Sequence, residues 1–142
     1  MILTAPSFII TSFIKFLDNT YKANIPVYIS FLYEFDCVET EEGTGFACYS
    51  PYDKSNKVSD KVDRCIIYLP LDVDMDTVKE FGYSSLEAFI LFNLAHEYCH
   101  HLQFCRGIDI FDLHTELYEA EAEEFARDVV FKYFENFSFY NR

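Results

Sequence analysis

Tryptophan is absent from this 142-residue chain, and glycine and proline are scarce, at 4 each. So few breakers exclude a collagen-like or Pro/Gly-rich disordered chain and leave room for long helices. No run of about twenty uncharged apolar residues occurs, so the sequence holds no candidate membrane helix. Met1 to Leu17 is apolar in places, but no basic stretch leads it and Lys15 sits inside it. That pattern argues against a secretory signal and for a first amphipathic helix. Basic residues are also few: 11 Lys and Arg against 24 Asp and Glu leave a net charge of −13. Such a surface repels nucleic acid, which excludes direct DNA or RNA binding and leaves a basic protein partner open. Cys37, Cys48, Cys65, Cys99 and Cys105 form no C-x-x-C pair, so a structural zinc knuckle is not indicated. Odd in number and set in apolar runs, they read as reduced, buried thiols of a reducing compartment, the cytosol.

What is present is a core. The chain is 51% hydrophobic and 19% aromatic, enough to fold, and its length predicts one domain over 1–142. Ser7 to Asn19 carries apolar residues at helical spacing, with Pro6 near the start. Ile25 to Phe35 has β character, Glu39 to Gly45 reads as an acidic turn, and Gly45 to Ser50 as a second strand. Pro51 to Asp63 is a polar loop, and Arg64 to Leu69 a third strand closed by Pro70. Met75 to Phe81 is a short helix stopping at Gly82. Ser84 to Glu87 then reads as a capping box, with Ser84 as N-cap and Glu87 at N3. The helix it opens runs to about Phe104, apolar all round in its first half and therefore buried, with Gly107 at its exit. A last helix runs from about Thr115 to Phe137. The expected architecture is α+β: a small domain with an N-terminal helix, a mostly antiparallel three-stranded sheet, a buried central helix and a C-terminal helix.

The buried helix carries the chemistry. His96-Glu97-Tyr98-Cys99-His100 reads H-E-x-x-H. On a helix the two histidines lie at i and i+4, so both imidazoles leave one face and can grip one Zn²⁺. Glu97 is then the general base. Cys99 is rotated away from that pair, and His101 points off another face, toward solvent. A catalytic zinc site needs a third protein ligand and an open fourth position. A histidine ten residues after His96 would mark a metzincin. That position is Arg106, and Gln103 stands where that class has glycine, so a carboxylate from the next helix is the remaining choice. Glu119 is the best placed, one turn before Ala122 and two before Ala126 on the inward stripe. Glu121, Glu124 and Asp128 turn outward. Glu123 lies at the edge of the stripe, where it can bond the far nitrogen of a ligating histidine. His114 and Tyr118 are the candidates to donate to transition-state charge, against a plainer reading of each as an ordinary surface or core residue.

The segment Glu119-Ala120-Glu121-Ala122-Glu123-Glu124-Phe125-Ala126 resembles the E-x-x-A-[DN]-x-F-A segment of gluzincin zinc metallopeptidases, as in the ImmA/IrrE-like and M48-like families. The resemblance covers residues 86–130. It implies Glu119 as third zinc ligand and Glu123 in the place of the supporting Asp or Asn, one methylene longer. It further implies hydrolysis of an intracellular protein or peptide, such as a repressor of a mobile element, although no helix-turn-helix domain accompanies it here. An extended peptide would add to a strand edge above the helix, for which Arg64 to Leu69 is the candidate. The competing reading is a catalytically inactive, acidic zincin-like protein that binds a basic partner. A third is a domain that metal merely stabilises.

Overall fold

A computed structural model of the chain describes residues 7–32, 38–40, 43–45, 47–52, 62, 64–71, 73–83 and 85–140. Pro6, Cys37, Ser84 and most of the 51–63 loop lie outside the described residues. The architecture is α+β. Helix α1 (Phe8–Thr20) is followed by strand β1 (Val27–Leu32), the small pair β2 (Val38–Thr40) and β3 (Gly43–Gly45), then β4 (Cys48–Tyr52) and β5 (Arg64–Pro70). Helices α2 (Met75–Glu80), α3 (Leu86–Cys105) and α4 (Glu116–Tyr140) complete it, with a 3-10 turn at Ile110–Asp112 between the last two. The segment expected to be an acidic turn therefore contains the antiparallel β2–β3 pairing. Among the described residues no helix is long and apolar enough to cross a membrane.

The three-stranded sheet has the order β1-β5-β4. β5 runs parallel to β1, from Val27↔Cys65 to Leu32↔Pro70, and antiparallel to β4, from Cys48↔Tyr68 to Tyr52↔Arg64. The sheet is thus mixed rather than mostly antiparallel, and β5 is its centre rather than an edge. Alternating burial explains why the sequence misleads here. Cys65, Ile67 and Leu69 of β5 are buried, and that pattern reports which face is covered, not how many strand edges are paired. Among the described residues the edges of this sheet are β1 and β4, and Pro51 in β4 suits an edge because it has no N–H to offer.

Helix α3 lies between this sheet and α4. Its first turn is capped by Ser85, whose Oγ accepts from the Ala88 N–H at 3.1 Å. The cap is one residue later than the sequence suggests, which puts Glu87 at N2. At the other end Gly107 adopts φ +100°, and the Ile108 N–H returns to the Gln103 carbonyl at 3.1 Å. That closure needs a left-handed residue, which glycine supplies at no steric cost. Leu91, Leu94 and Ala95 of α3 are fully buried, and Ala122, Ala126 and Val129 form the inward stripe of α4. Phe13 of α1 meets Tyr133 of α4 edge-on at 5.1 Å. This packing of small residues is what lets α4 run close enough to α3 for side chains on the two helices to meet.

His101 is buried, not solvated. Its Nε2 lies 2.9 Å from the Ile25 carbonyl and its Nδ1 2.8 Å from the Tyr49 hydroxyl. A carbonyl only accepts, so Nε2 carries the hydrogen, while Nδ1 faces a hydroxyl that also lies 2.9 Å from Cys65 Sγ. With both nitrogens paired, burial costs little. Burial holds the ring's pKa below the usual 6.5, partly opposed by the Ile25 bond. The unfolded chain therefore takes up a proton near pH 6.5 that the folded ring refuses, and stability falls as pH drops below that value. Metal-free wild type should lose melting temperature between pH 7.5 and 5.5 more steeply than metal-free His101→Gln. Parallel pH profiles would remove His101 as the cause.

Candidate metal centre

α3 and α4 bring His96, His100 and Glu119 together, with one ligand atom from each lying within 4.8 Å of the others. The helical repeat makes this inevitable on α3, where the two rings stand 4.9 Å apart. Glu119 Oε2 lies 3.2 Å from His96 Nε2, and Oε1 lies 2.8 Å from His100 Nε2. The second approach is short yet not aligned as a hydrogen bond, so the wholly buried His100 Nε2 has no hydrogen-bond partner among the described residues.

The surrounding bonds explain why that nitrogen is bare. Gln103 is fully buried. Its Nε2 donates to the Tyr118 carbonyl at 3.0 Å and to Glu121 Oε1 at 2.9 Å. Two acceptors on that atom identify it as the amide nitrogen, so Oε1 faces His100 Nδ1 at 2.9 Å and accepts its hydrogen. A neutral His100 with Nδ1–H has a lone pair on Nε2, aimed at a carboxylate. His96 is flanked by carboxylates on both sides, its Nδ1 3.1 Å from Glu123 Oε1. The unpartnered His100 nitrogen, the His96 ring and the Glu119 carboxylate converge on one point, an arrangement a cation resolves.

Without metal, protons shared between the imidazoles and Glu119 take the cation's place. Burial alone would raise the pKa of Glu119, but His100, His114 and His96 outweigh it and hold the carboxyl far below the usual carboxylate range. For His96 burial lowers the pKa, and the carboxylates of Glu119, Glu97 and Glu123 reverse that to a net rise. In the absence of metal, then, a proton competes for this position. Glu97 sits beside the cluster with Oε2 shielded from solvent and unpartnered among the described residues. Burial raises its pKa above 4.5, opposed by the nearby His100, His96 and His114.

The remaining candidates divide. His114 Nδ1 donates to Glu119 Oε1 at 2.9 Å, so it steadies a ligand. Tyr118 meets the site through its backbone carbonyl, as Gln103's acceptor. Cys99 is buried and is not among the clustered ligand atoms. Glu121 is exposed as expected, yet it accepts from both Gln103 and Arg106. Gln103 is the residue that sequence reading passed over. Its spacing, i+3 from His100, was the available signal. Gln103→Leu keeps the shape and removes the acceptor. Zinc affinity, read by competition with a chromophoric chelator, should fall about 10–100-fold. Unchanged affinity would show that Gln103 does not orient His100.

The donor set fits a transition-metal ion: two imidazole nitrogens, that of His100 oriented by Gln103, and one carboxylate, three ligands in all. Compared with protein-family models, with curated proteins and with solved structures, the chain finds no match in any of the three.

Proposed function

We propose that this protein is a small zinc-dependent metallopeptidase of gluzincin type, working in the cytosol on a protein or peptide. The observation that carries the reading is the His96–His100–Glu119 cluster with the shielded, unpartnered Glu97 beside it. The nitrogen-rich donor set favours zinc over calcium or magnesium, which prefer oxygen. When bound there, zinc lowers the pKa of a water from about 15.7 to about 7 and polarises a carbonyl. Glu97 takes a proton from the attacking water and passes it to the departing amine. Its raised pKa suits both halves of that task. His114, held against Glu119, is the group to donate to the oxygen that gains charge. Exposed Phe111 and Leu117, to either side of His114 in the chain, offer an apolar landing surface. The edges available for an added peptide strand are β1 and β4, since β5 is paired on both sides.

The test is a reconstituted protein with one zinc per chain, incubated with a diverse peptide pool and read by mass spectrometry. Cleavage products from wild type and none from Glu97→Gln are expected. A metal-loaded wild type that cuts nothing would move the assignment to the acidic binding protein, whose net charge of −13 would make its partner basic and its affinity steeply dependent on salt.

A further inference from the structure

Glu123 has a second neighbourhood. Besides reaching His96, it lines an open cavity of about 550 Å³ walled by the Phe81–Tyr83 turn, the first half of α3 and α4 from Glu123 to Phe134. That volume lies within the range of about 300–1,000 Å³ typical of ligand sites. The walls are aromatic. Phe81 and Phe131, both on this cavity, are 57% and 69% exposed, an arrangement that water disfavours and an apolar ligand relieves. Phe92, also on the wall, stands one turn before His96. Glu123 and Arg127, one turn apart on α4, supply one acid and one base to the lining. Their joint reach is visible on Tyr83: burial and the charge of Glu123 push its phenol up to about 12, with Arg127 opposing. Glu123 approaches His96 at Nδ1, on the ring edge away from the Nε2 that faces Glu119. The cavity is therefore behind the metal centre rather than at it.

We propose that this cavity is an accessory site that takes a large aromatic side chain of the peptide or protein on which the metal centre acts, at a residue removed from the bond that is cut. The identity of the occupant rests on the hydrolytic reading above. The ring-lined walls favour an aromatic guest through edge and offset contacts. Glu123 and Arg127 suit a peptide rather than a bare hydrocarbon, because they can meet a main-chain N–H and C=O. Continuity with the metal centre through Glu123 and Phe92 is what makes one polypeptide able to reach both places.

The chain's lack of tryptophan makes the test direct, since an indole in the ligand is the sole indole present. The probe is the acetylated, amidated pentapeptide Ala-Ala-Trp-Ala-Ala, titrated into zinc-loaded Glu97→Gln protein, with the all-alanine pentapeptide as competitor. A saturable blue shift is expected that the competitor does not reverse. Adding Ala88→Phe, which fills the cavity, or Phe131→Ser, which removes a wall from an exposed helix position, should weaken binding at least about tenfold with zinc content unchanged. If Ala88→Phe does not fold, Phe131→Ser decides alone. No saturable shift, or equal affinity in Phe131→Ser, would overturn the proposal. Binding that depends on Phe131, in a protein that cleaves no peptide, would uphold the cavity and defeat the hydrolytic reading. Cleavage indifferent to Phe131→Ser would do the reverse.

Discussion

Metal-free Glu97→Gln should melt at a higher temperature than metal-free wild type, although the substitution removes the group on which hydrolysis depends. Burial raises the Glu97 pKa above 4.5, and Oε2 has no partner among the described residues to offset that. Above about pH 4.5 the unfolded chain releases this proton more readily than the folded chain does. The folded state then either holds a proton against the solution or shelters an unpaired charge, and both cost stability. By linkage the penalty is nil below about pH 4.5 and grows as pH rises through the folded-state value. Glutamine carries no charge at either end of that window. The two proteins should therefore melt together near pH 4, and the variant should gain by pH 8. A gain of roughly 1 kcal/mol corresponds to about 4 °C in a chain of this size. A variant that melts below wild type at pH 8 would mean that Glu97 is satisfied in the fold, and would remove the reason for calling it poised. Stability given up at a working carboxylate is a common mark of a functional site.

Removing zinc should lower the melting temperature of wild type by on the order of 10 °C. The cluster draws ligands from α3 and from the start of α4, so a bound ion ties together two helices whose contact is the largest in the fold. An ion held at about a thousand times its Kd adds about 4 kcal/mol to the folded state. Glu119→Ala should abolish that increment, because the carboxylate is the only α4 member of the cluster and two imidazoles alone bind weakly. Scanning calorimetry with and without a chelator, on wild type and Glu119→Ala, gives both numbers. An undiminished zinc increment in Glu119→Ala would place the ion elsewhere, with the acidic surface as its source.

Much of the centre was legible because its geometry is local. The helical repeat fixes His96 and His100 on one face whatever surrounds them, and the stripe through Ala122 and Ala126 singles out Glu119 on the facing helix. Glu123 follows from the same count, and its Oε1 lies 3.1 Å from His96 Nδ1. What escaped was decided across the chain. β5 is central because β1 joins it in parallel after a long excursion, and no alternation pattern encodes a partner. His101 is buried because Ile25 and Tyr49, distant in sequence, satisfy both nitrogens. Gln103 orients His100 only because the Tyr118 carbonyl and Glu121 hold its amide in one sense. For His101 polar residue type suggested exposure, and non-local pairing reversed it.

The central claim is that His96, His100 and Glu119 hold one metal ion. Elemental analysis of protein purified without added metal tests it most directly, on wild type beside His96→Ala and Glu119→Ala. About one zinc per chain in wild type, lost in both variants, is the predicted result. A wild type without stoichiometric metal, or zinc retained in Glu119→Ala, would contradict it.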